Sequence, residues 1–509
     1  MSKIGFVSLG CPKNLVDGEV MLGIARDAGH QITPDADAAE VLVVNTCAFI
    51  DKAKQESIDA ILEMAARKRD GNCTRLVVTG CLAERYRDEL RKEIPEIDAV
   101  LGTGEVPRIL EAIGDSTDQA PETGGQDRTQ PLTFFRSSTG ISLAPGSRLP
   151  ALGPWLPVTG PRSPAPDYIY DADTPRLLTT PRHFAYVKIA EGCDYTCAFC
   201  IIPTLRGAYR SRTPESIVRE ARALADRGVK ELLLISQDTT FYGNDRRERH
   251  ALARLLRELN AIDGLEWIRL LYLYPTTITD PVLEAMAECE KVCRYIDLPL
   301  QHASASVLQR MRRPGNRRTY DKLLARIRER IPGVAVRTTL IVGFPGETEE
   351  DFTELSAFVT DAQFDHVGVF TYSHEEGTRA FDLPDDVPAA LKRKRRNVLM
   401  SQQKRIVGRA QNRRIGSEVR IMVDGPSPEH DLVIQGRLEG QAPDIDPVVY
   451  LTDCDPAAVV PGNLIRALIV GARDYDLVAR PEPPAARRQP TAQPSMNRLA
   501  AGRWTPTRK

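Results

Sequence analysis

The feature that most constrains this chain is a repeated alternation of short apolar runs with amphipathic stretches. Near the N-terminus the runs are Ile4–Leu9, Val41–Val44 and Leu76–Val78, each rich in β-branched residues and bounded by Gly, Asn or Thr, as buried parallel strands are. Helical patterns such as Lys52 to Arg67 lie between them, and this βαβ order predicts an open parallel α/β sheet. From Phe184 the alternation resumes over Phe184–Ile189, Glu231–Ser236, Ile268–Tyr274, Tyr295–Leu298, Val336–Val342 and His366–Tyr372. Six strand–helix repeats predict a partial version of the (βα)8 barrel. Thr348 and Asp351 have capping-box spacing, which predicts a helix opening just after Gly346.

A chain of 509 residues is too long for one core, and composition divides it. Residues 1–113 form the first α/β unit and residues 183–390 the barrel. Between them, 114–182 is dense in Pro, Gly, Ser and Thr without periodicity, and is expected to be a mobile linker or insertion. Lys392 to Arg414 holds ten Lys or Arg and no Asp or Glu, and 391–415 is expected to be a basic linking helix. From 416 to 480 short alternating strands, with turns expected at Asp424-Gly425 and Pro461-Gly462, predict a small antiparallel β-barrel. Residues 481–509 are Pro-, Ala- and Arg-rich and are expected to be a disordered tail that activity does not need.

The net charge of −1 points to no class of partner, so any electrostatic signal must be local. No apolar run reaches membrane-spanning length. Lys3 followed by Leu9-Gly10-Cys11 has the outline of a lipoprotein signal, but the apolar stretch Ile4–Leu9 is shorter than a signal core and reads as a buried strand. A cytoplasmic protein with no membrane partner is therefore expected. In that reducing setting ten cysteines argue against a disulfide framework and for metal ligation.

Six of the ten cysteines fall into two sets. Cys193, Cys197 and Cys200 follow the first barrel strand in one tight loop, Glu191-Gly-Cys-Asp-Tyr-Thr-Cys-Ala-Phe-Cys200. Three thiolates can each bind one iron of a 4Fe-4S cubane and leave the fourth iron open. An amine and a carboxylate together can chelate that iron, and S-adenosylmethionine has both. Zinc would want a fourth ligand, and none follows nearby. Cys11, Cys47 and Cys81 each stand one to three residues past an N-terminal strand. The carboxyl ends of parallel strands share one edge, so three thiols distant in sequence converge there and offer a second open-iron cluster. The competing interpretation is three small buried hydrophobes. Cys73, Cys289, Cys293 and Cys454 fit neither set.

At these residues the chain resembles the methylthiotransferases, a family of radical-SAM enzymes. The likeness runs from Ile4 to about Ala479, apart from 114–182. It rests on Ser8-Leu-Gly-Cys-Pro-Lys-Asn-Leu-Val-Asp17, Asn45-Thr-Cys-Ala-Phe-Ile-Asp51 and Thr79-Gly-Cys-Leu82. In the barrel it rests on Cys200-Ile-Ile-Pro203 with Arg206-Gly207, Ser236-Gln-Asp-Thr239, Pro299-Leu-Gln-His-Ala-Ser304 and Gly343-Phe-Pro-Gly-Glu347. Within the family it is similar to the branch that modifies an aspartate of the small-subunit ribosomal protein S-twelve. Branches acting on tRNA usually carry Gln and Asn where Pro12-Lys13-Asn14 stands.

The resemblance implies an N-terminal domain with an auxiliary cluster, a radical-SAM barrel and a C-terminal TRAM domain. It implies two 4Fe-4S clusters and two uses of S-adenosylmethionine, one to methylate a sulfur at the first cluster and one to generate a radical at the second. That radical takes a hydrogen from the β-carbon of the target aspartate, which then receives the methylthio group. Phe199 is expected against adenine, Gln237 and Asp238 near the ribose or methionyl group, and the turn from Gly343 to Glu347 flanking adenine. Arg206, Arg210 and Arg212 face either substrate or solvent. The implied partners are S-twelve, free or within the small subunit, and an electron donor such as flavodoxin or ferredoxin. Methylthiolation of a tRNA adenosine is the alternative activity. A non-catalytic RNA-binding role is a third, favoured by Lys392–Arg414 and opposed by the barrel cysteines.

Overall fold

The computed structural model describes residues 1–114, 166–455 and 459–482. The N-terminal unit is a five-stranded parallel sheet in the order β2 (Gln31–Thr33), β1 (Lys3–Ser8), β3 (Val41–Thr46), β4 (Arg75–Gly80), β5 (Ile97–Leu101). Its central strand β3 is buried along its whole length, which is why that run reads as continuous Val and Leu instead of an alternation. The flanking strands β2 and β5 go unread in the sequence because each is short and partly exposed, and Asp98 interrupts the apolar residues of β5.

The barrel strands are β6 (Phe184–Lys188), β9 (Glu231–Ile235), β10 (Trp267–Leu270), β11 (Tyr295–Asp297), β12 (Ala335–Val342) and β13 (His366–Thr371). All neighbours pair in parallel, β6 with β9, β9 with β10, β11 with β12 and β12 with β13. A parallel bridge between Ile268 and Val292 joins the two halves, giving the expected six-stranded partial barrel. Two-residue strands β7 (Ala190–Glu191) and β8 (Arg210–Ser211) form a small ribbon at its rim. Thr348 caps the helix Glu349–Ala362 with the reciprocal Thr348–Asp351 bonds that the spacing predicts.

The helix Ala389–Asn412 leads to a closed barrel of β14 (Glu418–Ser427), β15 (His430–Arg437), β16 (Val449–Leu451), β18 (Asp476–Pro481) and β17 (Leu464–Arg473), taken in spatial order. It is antiparallel except for β16 beside β18. The turn expected at Asp424-Gly425 is absent: both residues lie inside β14, where Gly425 takes a φ of +116° at a bulge. A bulge and a turn share the same glycine signature, and only the pairing distinguishes them. Pro461-Gly462 is a turn as expected.

This small barrel seats on the amino ends of the large barrel's strands. Arg437, buried, pairs with Glu231 at the start of β9 (2.7 Å) and with Asp424 (2.9 Å), while Arg269 holds the other oxygen of Glu231 at 2.7 Å. The Tyr295 hydroxyl donates to Asp446 at 2.7 Å, and so does Arg337. One end of the (βα)6 barrel is thereby closed, and its carboxyl end remains for the first domain. Of the stretch expected to be a linker, residues 166–182 pack into the body: Tyr170 is buried, and Arg176 joins Glu19 of the first domain (2.5 Å) to Glu220 of the barrel (2.6 Å). Residues 115–165 and the expected tail beyond 482 lie outside the described residues.

Candidate active site

Cys11, Cys47 and Cys81 come to one edge of the sheet because their strands are in consecutive register, with Ser8 opposite Asn45 and Thr46 opposite Gly80. Cys11 caps the helix Pro12–Asp27 and Cys81 begins the helix Cys81–Arg85. Gly10 has a φ of +91°, and a β-carbon there would stand 2.8 Å from that of Cys47, so only glycine lets the first loop close on the second cysteine. Asn14 ties the loops together, its amide donating to the carbonyls of Leu9 (3.1 Å) and Thr46 (2.7 Å). Ser57 fixes Cys47 by bonding both its N–H and its carbonyl at 2.9 Å. Burial pushes the Cys47 thiol up to about 12 and the Cys81 thiol up to about 11. Iron must therefore displace protons from these thiols on binding.

The second set follows β6. Gly192 adopts a φ of +83° where a β-carbon would lie 2.0 Å from the Ala208 carbonyl, and the Cys193 N–H donates to Gly207 at 3.1 Å. Ala198 anchors the loop to the barrel, its N–H reaching Met311 (2.8 Å) and its carbonyl accepting from Ala380 (2.7 Å). Burial pushes Cys193 up to about 11 and Cys200 up to about 12. Arg313 donates to the sulfur of Cys197 at 3.7 Å and to the Pro299 carbonyl at 2.6 Å, with its guanidinium over the Tyr274 ring. No sequence pattern marks Arg313 as a neighbour of the cysteine loop.

Among the described residues no three Cys, His, Asp or Glu side chains converge on one metal ion. A cubane asks for something else, because each thiolate takes a different iron and the donors must be spread. Two all-cysteine triplets without a fourth ligand fit two such clusters and do not fit tetrahedral zinc.

The residues expected around S-adenosylmethionine divide. Phe199 packs partly buried against the barrel core. Gln237 donates to Glu191 at 2.5 Å, and its own carbonyl oxygen is buried without a partner among the described residues. Asp238 is engaged by the protein: it caps the turn Thr239–Phe241 and also accepts from the hydroxyls of Tyr195 (2.8 Å) and Thr277 (3.1 Å). Through Tyr195 it fixes the cysteine loop. Glu347 accepts from the N–H groups of Gly343 (2.5 Å) and Phe344 (3.2 Å) and pairs with Arg395 at 2.9 Å, while burial pushes it up to about 7. Gly343 has a φ of +73° and lies against Lys392, where a β-carbon would come within 2.3 Å of that side chain. Glu347 and Gly343 thus build the loop from within.

Of the three arginines, none is simply solvated. Arg212 is buried against Glu220 (2.5 Å), and Arg210 donates to the carbonyls of Arg206 (2.9 Å) and Tyr168 (2.7 Å). Arg206, also buried, links Cys81 of the first set to Glu191 at the start of the loop that carries the second. It donates to Asp17 and Glu191, both at 2.9 Å, to Asn14 at 2.7 Å and to the sulfur of Cys81 at 3.7 Å. Lys188 bridges the same two carboxylates. Beside them Lys13, two residues past Cys11, lies 3.0 Å above the ring of Tyr272 at the carboxyl end of β10.

Family models match the same three units. Residues 3–102 match the uncharacterized protein family UPF0004, 187–359 the radical SAM superfamily and 415–481 the TRAM domain. A protein of Koribacter versatilis named ribosomal protein uS12 methylthiotransferase RimO is 48% identical over 489 residues, covering 94% of this chain and 96% of its own. The chain belongs to the RimO family of radical-SAM methylthiotransferases. RimO proteins of Geobacter sulfurreducens and Myxococcus xanthus are each 46% identical, covering 94% and 96% of this chain and 98% and 94% of their own. Among solved structures, the radical S-adenosylmethionine methyltransferase TsrM of Kitasatospora setae aligns with a TM-score of 0.48 and 16% identity over 72% of this chain and 73% of its own. Membership brings two 4Fe-4S clusters and S-adenosylmethionine as cofactors. No helix among the described residues is long and apolar enough to cross a membrane.

Proposed function

We propose that this chain inserts a methylthio group at the β-carbon of an aspartate of ribosomal protein S-twelve, with Cys193, Cys197 and Cys200 holding the cluster that binds S-adenosylmethionine and Cys11, Cys47 and Cys81 holding the cluster that supplies sulfur. When bound, these groups furnish the carbon radical and the methylated sulfur. The chain's own residues bring the two supplies together. Arg206 carries the reading: one guanidinium touches Cys81 of the first set and Glu191, two residues before Cys193 of the second. Two thiolate sets on two domains joined by one buried bridge suit a reaction in which a substrate carbon is activated by one and sulfurated by the other. The unpartnered oxygen of Gln237 and the backbone beside Phe199 are the groups we assign to S-adenosylmethionine, and Glu347, Gly343 and Asp238 keep the surrounding loops in place.

The domain roles follow: residues 1–113 carry sulfur, 183–390 generate the radical, the helix within 391–415 links, and 416–480 recognises the partner. That last unit holds eleven Asp or Glu against five Arg and no Lys, a net of −6. Such a surface repels a phosphate backbone and suits a basic ribosomal protein. The linking helix favours the tRNA reading, since Arg393, Lys394, Arg405 and Arg409 are exposed along it. The folded acidic unit outweighs it, and the helix is then free to meet ribosomal RNA around a target in the small subunit. We place the reaction in the cytoplasm, with flavodoxin or ferredoxin as electron donor. The test offers reconstituted enzyme S-twelve and, separately, tRNA bearing isopentenyl adenosine. Methylthio mass on the protein alone is expected; methylthio mass on the tRNA alone would reverse the assignment.

A further inference from the structure

Among the described residues Lys13 is a buried cation, 7% exposed, with no carboxylate paired to it, and the Cys11 thiol two residues away is one that iron would claim. Every carboxylate near it is already engaged. Asp17 and Glu191 are shared between Lys188 and Arg206, two negative groups against two positive ones. Asp297 accepts from the Tyr272 N–H at 3.0 Å and stands 3.5 Å from Arg337. Lys13 is left with the face of the Tyr272 ring, 3.0 Å away, which solvates a cation only in part. A buried charge without a hydrogen-bonded counter-ion is costly, and buried charges are ordinarily paired. The ground beneath it is also unusual. Tyr272 has a φ of +60°, a left-handed backbone that a bulky aromatic residue avoids, at the carboxyl end of β10 where barrel sites form.

We infer that Lys13 is the counter-ion for the side-chain carboxylate of the substrate aspartate, holding it between the two cysteine sets. The geometry matches the task. Lys13 enters the barrel mouth from the helix that Cys11 caps, so a carboxylate bound to it is anchored beside the sulfur-bearing set. The aspartate β-carbon is one bond from that carboxylate, so fixing the carboxylate fixes the reacting carbon. The methionyl carboxylate of S-adenosylmethionine is the other candidate: at the barrel cluster the open iron would take it as a chelating group, and a molecule used at the first cluster is told apart from the aspartate by the affinity measurement below. Lys13 on this account is a positioning and specificity residue, and the inference rests on the protein-aspartate substrate proposed above.

The test measures binding of reconstituted holoenzyme, under anaerobic conditions, to S-twelve and to S-twelve with its target aspartate changed to asparagine. The parent enzyme is expected to prefer the aspartate form about tenfold or more, the range of a hydrogen bond to a charged group. Lys13→Met should bring that ratio near one, and Lys13→Arg, which keeps the charge, should retain a preference. Affinity for S-adenosylmethionine is measured in parallel. A preference that survives in Lys13→Met, or a loss that falls on S-adenosylmethionine instead of on the aspartate form, would overturn the inference alone. Failure of the parent enzyme to bind either form of S-twelve would bring down the substrate reading and the inference with it. If Lys13→Met does not fold, the ratio for Lys13→Gln against Lys13→Arg decides the same point.

Discussion

Arg206 belongs to the barrel, yet its guanidinium donates to the sulfur of Cys81 in the N-terminal domain at 3.7 Å. The same group reaches Asn14 and Asp17 across the seam and Glu191 on its own side. A guanidinium suits this position because its planar fork offers donors in several directions at once. Two domains that share one buried charge network keep a fixed separation, and a reaction divided between two metal sites needs that.

Arg206→Met should therefore uncouple the domains. Removing one partner of a buried ion network costs about 3–5 kcal/mol, and Lys188 remains to compensate Asp17 and Glu191, so a loss of about 3 kcal/mol is expected. Chemical denaturation of the apo-protein would read it as a lower midpoint. Arg206→Lys should restore little, because one ammonium cannot span Asn14, Asp17, Glu191 and Cys81 together. Equal stability of the lysine variant and the parent would show that the network needs charge alone.

Replacing Cys193, Cys197 and Cys200 with Ala should remove one cluster's worth of iron and abolish 5′-deoxyadenosine formation. Iron analysis and chromatography of the products measure both. Retention of cleavage in the triple variant would contradict the assignment of this loop.

Replacing Cys11, Cys47 and Cys81 should leave 5′-deoxyadenosine formation largely in place while methylthiolation of S-twelve disappears. The two sets sit on different domains, so losing one need not dismantle the other. Mass spectrometry of S-twelve alongside deoxyadenosine counts would show the split, and the opposite split would exchange the roles of the two sets.

The cysteine sets are legible in the sequence for a physical reason. A tight loop after a strand is a local pattern, and Cys11, Cys47 and Cys81 each follow a strand whose carboxyl end the parallel topology must bring to one edge. The supporting charges are not legible in that way. Arg313 reaches Cys197 and Arg206 reaches Cys81 only after distant segments have packed, and no periodicity encodes which arginine a thiol will meet. Asp238 shows the converse. Placed at a strand end, it looks like a ligand-binding group, but Asp followed by Thr239-Thr240-Phe241 is also a capping signature, and the structure gives its carboxylate to that turn. The seat of the small barrel depends on Arg437, Glu231 and Arg269 from three separate stretches, and a sequence read element by element carries no sign of it.

His302 supplies a prediction on pH. It is fully buried, and burial holds its imidazole down to about 3 from its usual 6.5. The ring nitrogen Nδ1 accepts from the Ser304 N–H at 3.0 Å, so the proton of the neutral ring sits on Nε2, which faces Glu347 across 3.9 Å. Between pH 6.5 and 3 the unfolded chain binds a proton here that the folded chain refuses. The stabilising contribution is therefore complete above 6.5 and is lost as the pH falls toward 3, by at most about 4–5 kcal/mol. His302→Asn keeps an acceptor for Ser304 in a side chain that does not titrate. The variant should be less stable than the parent at pH 8, where a smaller side chain leaves a void that costs on the order of 1–2 kcal/mol. The difference should shrink as the pH is lowered and then change sign. Denaturant midpoints of the two apo-proteins at intervals from pH 8 to pH 4 measure it, and parallel curves across that range would mean that His302 takes up its proton as readily in the fold as in the unfolded chain.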